Sequence, residues 1–169
     1  MDQPYRPEDY QFPEAYVEGV ESSRYLVLYP ERGRYRLVSE PPREGIVLGQ
    51  TIYEEAGQYA FDLVEAKTTR WIAVRIPWRG YKVLALPPET RVLIYEIGGV
   101  QTVFQAREGD RVKPGDIAAY VLTGKGETRS RRFDEEAIVF YIAWDRESHP
   151  PVYRVITVEP EKVIVLEPE

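Results

Sequence analysis

The chain contains no cysteine and no asparagine, and it has a single methionine and a single histidine, His149. Without cysteine it can form no disulfide, iron–sulfur cluster or cysteine-ligated zinc site, and it has no thiolate nucleophile. Ser148 and His149 stand before two prolines, which predicts a rigid loop rather than a nucleophile and its base. The scarcity of thermolabile side chains, the 14 prolines and the excess of arginine (17) over lysine (5) predict a thermophilic source.

Long apolar runs are also missing. No stretch approaches the ~20 residues that a membrane-spanning helix needs, and residues 1–9 lack the charged-then-apolar order of a signal peptide. We therefore expect a cytoplasmic protein without membrane contact. With 169 residues, of which 43% are hydrophobic, the chain can bury its own core as one large domain or two small ones.

The net charge of −6 gives no general attraction to nucleic acid or to anionic membranes. The charge is unevenly distributed, however. Residues 107–132 contain seven basic and four acidic side chains, which is +3 locally and leaves −9 on the rest of the chain. The sequence thus places one basic lobe on an acidic protein.

Most of the chain has the period of two that is typical of β-strands, with Gly or Pro turns every eight to twelve residues. Strands are predicted at residues 25–29, 35–38, 46–48, 71–76, 81–86, 91–97, 100–106, 137–144, 152–159 and 162–166. The first two and the last two of these segments are each predicted to pair as a hairpin. This spacing favours a barrel or a sandwich over an alternating α/β fold.

Two segments depart from the strand pattern. Residues 1–20 mix proline, acidic and tyrosine residues, which predicts an irregular arm held to the body by its tyrosine rings, with a disordered tail as the alternative. Residues 51–66 place apolar side chains at helical spacing after Thr51, and we favour a helix although Gly57 interrupts it. The proline pair 87–88 predicts a boundary between a β-rich unit at 1–88 and a second unit at 89–169.

Two Gly-Asp pairs six residues apart mark the basic lobe. They are Gly109-Asp110 and Gly115-Asp116, with Val112 between them. Each Gly relieves a left-handed backbone position, and each Asp can bond the amides of its own turn. Val112 is therefore expected to point inward between two turns.

Residues 109–117, Gly-Asp-Arg-Val-Lys-Pro-Gly-Asp-Ile, resemble the first half of a biotinyl/lipoyl-like domain, whose pattern is Gly-Asp-x-Val-x-x-Gly-Asp-x-Leu. The resemblance covers roughly residues 91–144. It implies a mainly β fold, a barrel-sandwich hybrid, here with an N-terminal β-rich extension, a C-terminal hairpin and at most one short helix. The chain also looks like an uncharacterised archaeal family built on that hybrid. That family has no established activity, so the resemblance implies a fold but no reaction.

The same resemblance implies a role for Lys125. In such domains the modified lysine lies at a hairpin tip ten residues after the second Gly of the pattern, and Gly115 plus ten is Lys125. Biotin acceptors read Met-Lys-Met and lipoyl acceptors Asp-Lys-Ala, whereas Lys125 stands between two glycines. We therefore expect no attached cofactor, with biotin or lipoate on Lys125 as the alternative.

The sequence gives only weak signals for anion binding, nucleic-acid binding or metal binding. Lys125, Arg129, Arg131 and Arg132 are candidates for contact with an anion, an RNA strand or an acidic protein surface. The alternative is that these arginines pair with the glutamates of the acidic remainder, as in thermophile ion-pair networks. Adjacent carboxylates at 54–55 and 134–136 predict solvated loops and no metal site, because neighbours on a strand face opposite ways.

The sequence therefore predicts a non-catalytic binding or assembly module with an unidentified protein partner. The edge strands of such a fold need covering, which favours a homodimer. A carrier domain modified at Lys125 is the first alternative. Weak anion or nucleic-acid binding through the basic hairpin is the second, and the acidic net charge makes nucleic acid the less favoured ligand.

Overall fold

The computed structural model of the chain describes residues 12–145 and 147–169, and these residues are mainly β. The strands before the proline pair are β1 (Glu14–Glu18), β2 (Tyr25–Tyr29), β3 (Arg34–Val38), β4 (Ile46–Thr51), β5 (Phe61–Asp62), β6 (Lys67–Thr68), β7 (Ile72–Ile76) and β8 (Lys82–Leu86). The later strands are β9 (Leu93–Gly98), β10 (Gln101–Phe104), β11 (Arg111–Val112), β12 (Ile117–Leu122), β13 (Thr128–Arg132), β14 (Ala137–Asp145), β15 (Val152–Val158) and β16 (Ile164–Pro168). In this described part the one α-helix is α1 (Ala56–Ala60). The predicted mainly β fold with at most one short helix is confirmed.

Seven strands close into a barrel in the order β1-β4-β2-β3-β16-β8-β7, with β7 returning to β1. The pairing is antiparallel except between β16 and β3, which run parallel. Tyr16, Leu26 and Leu166 are among the fully buried side chains of the core that these strands enclose. Gly49 lets β4 pass close to the loop between β1 and β2, since a Cβ there would lie 1.9 Å from the carbonyl oxygen of Val20. Closure leaves the barrel without an open edge strand.

The basic lobe belongs to a second unit made of two sheets. One sheet has the order β10-β12-β13 and the other β11-β14-β15-β9. Their facing sides share a core in which Val112, Val121, Phe133 and Val139 are buried. The smaller sheet has three strands, and β13 is one of its two edge strands.

A third core joins the barrel to the larger sheet. It contains Ile72 and Val74 from the outer side of β7, Phe140 and Tyr141 from β14, and side chains of α1. Strand β14 is thus buried on both faces, which explains its nearly continuous apolar run. The sheets that carry the basic lobe rest on the barrel through this core.

Three local predictions need correction. The arm at residues 1–20 contains β1, whose Tyr16 lies in the barrel core; residues 1–11 of the arm are outside the described residues. Of the helix predicted at 51–66, only α1 forms, and Phe61 leaves it to pair in β5. The predicted C-terminal hairpin is wrong, because β15 pairs with β14 and β9 while β16 pairs in the barrel.

The hairpin of β2 and β3 is confirmed, with five antiparallel pairs from Tyr25 and Val38 to Tyr29 and Arg34. The boundary at 88/89 stays a prediction. Strand β16 nevertheless returns from the second unit to complete the first, so the two units are interleaved in sequence.

Candidate functional site

The two Gly-Asp turns have the same construction. In the first, the amide of Arg107 donates to Asp110 Oδ2 (2.9 Å), and the amide of Asp110 donates to the Arg107 carbonyl (3.1 Å). In the second, Lys113 and Asp116 make the same two bonds, at 2.8 and 3.0 Å. The intervening glycines have φ of 93° and 90°, which side chains other than glycine rarely adopt. The turn chemistry predicted from the sequence is therefore confirmed.

Each turn is tied to the second half of the unit by a reciprocal pair of backbone bonds. The Gly109 amide donates to the Val139 carbonyl (2.7 Å), and the Val139 amide donates to the Asp110 carbonyl (2.9 Å). Gly115 and Phe133 are bonded in the same way through Asp116. Val112 lies between the turns and is 4% exposed, as predicted. The turns hold the scaffold from which the basic hairpin projects.

The basic hairpin is β12, the turn 123–127 and β13. The Thr123 amide donates to the Glu127 carbonyl (2.8 Å), and the Gly126 amide donates to the Thr123 carbonyl (3.0 Å). Gly126 has φ of 80°, so the turn needs a glycine there. Lys125 is exposed at the tip, and no ion pair joins it to another described residue. The predicted position of Lys125 at a hairpin tip is what the structure shows.

All five residues of β13 are exposed, and among the described residues this strand pairs only with β12. Arg129 pairs with Glu127 at 3.0 Å, and Arg132 donates to the carbonyl of Gly115 at 2.7 Å. Arg131 is exposed between them. Arg132 lies roughly 13 Å from the start of β13, at about 3.3 Å per residue. The structure therefore keeps Lys125 and Arg129 together near the tip and separates them from Arg132, which belongs to the second Gly-Asp turn.

A shallow cleft of about 530 Å³ lies beside the two Gly-Asp turns. Arg79 on its wall donates to Asp110 Oδ1 (2.6 Å), and Arg111 donates through two nitrogens to Glu136 Oε1 (3.0 and 2.7 Å). Arg132 also lines the cleft. Each guanidinium is thus already bonded to a carboxylate or a carbonyl. These three guanidinium groups are therefore already engaged within the protein. The hydrogen bond from Arg79 to Asp110 also links the barrel to the first turn.

Sequence reasoning missed a buried polar cluster at that turn. Glu108 is 8% exposed, and its Oε2 accepts a 2.5 Å hydrogen bond from the hydroxyl of Tyr53. The hydroxyl of Tyr141 donates to the Tyr53 carbonyl (2.5 Å) and accepts from the Gly57 amide (3.2 Å). Burial raises the pKa of Glu108 above its ordinary value, and the hydrogen bond from Tyr53 opposes that shift. Burial, and then the charge of Glu108, raise the pKa of Tyr53 well above its ordinary value.

No local signal distinguishes Glu108 from its exposed neighbours, because Arg107-Glu108-Gly109-Asp110 has the composition of a solvated turn. Its partner Tyr53 lies 55 positions earlier in the chain. Across residues 12–145 and 147–169, no three His, Asp or Glu side chains are grouped so that they could hold a metal ion. The described helices are all too short or too polar to cross a bilayer. The thermophilic source and the cytoplasmic location stay predictions.

A family model described as an uncharacterised protein conserved in archaea (DUF2118) matches residues 10–161. No curated protein matches the chain. The matched range includes nearly all of the barrel, both sheets, the Gly-Asp turns and the basic hairpin.

Proposed function

The chain belongs to this uncharacterised archaeal family, as the sequence predicted, and we propose that it is a non-catalytic binding or assembly module without attached cofactor. The scaffold we propose is biotinyl/lipoyl-like. That scaffold is supported by two facing sheets, by two equivalent Gly-Asp turns and by a lysine at the tip of the hairpin that follows the second turn.

The single observation that carries the binding role is the edge strand β13. Its residues Thr-Arg-Ser-Arg-Arg are all exposed, and one of its two edges is open within the described structure. An open edge offers backbone donors and acceptors to another chain, and arginine is suited to bind carboxylates. The basic hairpin therefore fits a partner that presents acidic side chains.

This proposal predicts that a fluorescent octaglutamate peptide binds the protein at low salt and is released at high salt. The double variant Arg129→Ala with Arg131→Ala is expected to weaken binding at least about tenfold, roughly 1.4 kcal/mol, because two exposed guanidinium contacts are lost. Fluorescence anisotropy measures the change. The matched control is Arg43→Ala with Lys113→Ala, which removes two exposed basic side chains elsewhere and is expected to bind almost as well.

The same titration separates protein binding from nucleic-acid binding. A single-stranded RNA of equal charge is expected to bind less tightly than octaglutamate, because only the peptide can also pair its backbone with the open edge of β13. Tighter binding of RNA that weakens in the Arg129 and Arg131 variant would favour the anion or nucleic-acid alternative. Failure to bind either probe at low salt, at a protein concentration where the chain is monomeric, contradicts the proposed role of the hairpin. A metal-dependent or acid–base turnover that is lost in Glu108→Gln contradicts the non-catalytic part.

The carrier alternative is favoured by one observation, the exposed Lys125 at the tip of the hairpin in the expected register. If no cofactor is attached, the intact mass of protein purified from its native source equals the mass calculated from the sequence. A gain in mass that peptide mapping assigns to Lys125, and that disappears in Lys125→Arg, establishes the carrier function instead.

A further inference from the structure

A groove at the end of β14 combines acidic and exposed apolar side chains. It has a volume of about 600 Å³ and lies between the segment around α1 and the ends of β14 and β15. Its lining includes the carboxylates Glu54, Glu55, Asp145 and Glu147. We call this the acidic groove.

Apolar side chains at this groove are unusually open to solvent. Ile52 is 65% exposed and Leu63 is 46% exposed, and both line the groove; the neighbouring Val64 is 92% exposed. Trp144, another lining residue, is 37% exposed. Single exposed apolar residues are ordinary, but a group of them beside carboxylates marks an interaction surface.

The charge of the groove is only partly compensated. Asp145 pairs with Arg154 at 3.1 Å, and Glu54 accepts a hydrogen bond from the Trp144 amide at 2.6 Å. Glu55 and Glu147 form no ion pair with another described residue. Among the described lining residues, four carboxylates thus surround one guanidinium, and the surface that fits them is basic with some apolar area.

The basic hairpin of this same chain has that character. Lys125, Arg129 and Arg131 are exposed on it. Tyr120 of the hairpin (38%) and Val103 of the adjoining β10 (49%) are also exposed, on the other face of the sheet, because Tyr120 is in register with Ser130 between the two arginines. Two copies of β13 would pair poorly with each other, because arginines would face arginines across the new edge. The acidic groove is therefore the better complement for the hairpin of another copy.

The hairpin tip and the acidic groove lie at the same end of the molecule. The Val100 amide donates to the carbonyl of Leu122, the last residue before the tip. Gly98 pairs with Val152, which in turn pairs with Asp145 at the groove. Complementary patches at one end allow a two-fold axis to set each hairpin in the groove of the other copy, with both contacts made twice.

We propose that two copies of this chain form a reciprocal dimer in which the basic hairpin of each lies on the acidic groove of the other. The inference rests on the proposed binding role of the hairpin and names its partner surface. The contact covers the exposed apolar side chains and brings the open edge of β13 into the interface.

Charge reversal tests the dimer. One variant carries Arg129→Glu with Arg131→Glu, and the other carries Glu55→Arg with Glu147→Arg. Each variant alone sets like charges against each other, whereas in an equimolar mixture both contacts of a heterodimer join opposite charges. We expect the wild type to have the mass of two protomers at low salt, each variant to have the mass of one, and the mixture to recover two. Multi-angle light scattering after size exclusion measures the mass, and circular dichroism confirms that each variant is folded.

The matched control is Arg43→Glu with Lys113→Glu, which makes the same change in net charge away from the hairpin tip and should remain dimeric. A wild type that is monomeric at every concentration overturns the inference. So does a mixture of folded variants that stays monomeric, or a control that dissociates equally. If the monomer still binds octaglutamate through Arg129 and Arg131, only the dimer is overturned and the proposed function stands; loss of both removes the proposed function as well.

Discussion

Leu166→Ala is expected to lower the free energy of unfolding by about 2–5 kcal/mol, the usual range for truncating a buried leucine. Leu166 is fully buried among the side chains inside the barrel. It lies on β16, pairs with Val83 of β8, and belongs to the strand that joins β8 to β3. The truncation leaves a cavity at the place where the barrel closes. Chemical denaturation followed by circular dichroism measures the loss.

The adjacent residue provides the matched control. Val165 points away from the barrel core and is 51% exposed, so Val165→Ala should change the free energy of unfolding by no more than about 0.5 kcal/mol. Equal effects of the two substitutions would contradict the assignment of β16 to the barrel. They are the outcome expected if the last strand were a loosely attached hairpin arm, as its local sequence suggests.

The contrast between β16 and the two Gly-Asp turns shows which features the sequence could predict. Each turn is decided within four residues by a glycine with positive φ and an aspartate that bonds its own amides. The partners of β16 are instead decided by strands some 80 and 130 positions earlier. The turn at 160–162 has the composition of a hairpin loop, so local chemistry favoured a pairing that tertiary packing does not make.

The same reasoning applies to β1 and to residues 51–66. Strand β1 buries three consecutive residues because the barrel core covers one face and the core shared with the larger sheet covers the other. It therefore lacks the alternation by which a half-buried strand is recognised. In residues 51–66 the helical spacing of apolar side chains is real, but Phe61 pairs with Thr68 and ends α1 after one turn.

The candidate site was predicted in part. The resemblance to biotinyl/lipoyl-like domains implied a hairpin tip at Lys125, and Lys125 lies in the exposed turn between β12 and β13. The acidic groove could not be predicted, since it is assembled from α1 and the ends of β14 and β15. The buried state of Glu108 likewise depends on packing against Tyr53 and not on its own neighbours in sequence.

At a pH above the raised pKa of Glu108, Tyr53→Phe is expected to cost about 1.5–3 kcal/mol of unfolding free energy, the range for a hydrogen bond to a charged group. The substitution removes the hydroxyl that donates to Glu108 and leaves a buried carboxylate without that donor. At acidic pH, where Glu108 is protonated, the cost should fall towards the 0.5–1.5 kcal/mol typical of a neutral pair. Denaturation curves measured across pH give both values.

Glu108→Gln tests the same cluster from the other side. Because burial raises the pKa of Glu108 in the folded state, the folded protein binds more protons there than the unfolded chain does. The contribution of Glu108 to stability is therefore complete below its ordinary pKa and is lost as pH rises through the raised value. Glutamine keeps an oxygen for Tyr53 and does not ionise, so this variant should match the wild type at low pH and exceed it at higher pH. The control is Glu135→Gln, which alters an exposed carboxylate and should not diverge from the wild type in this way. A Glu108→Gln variant whose free energy of unfolding falls below that of the wild type as pH rises would contradict the assignment.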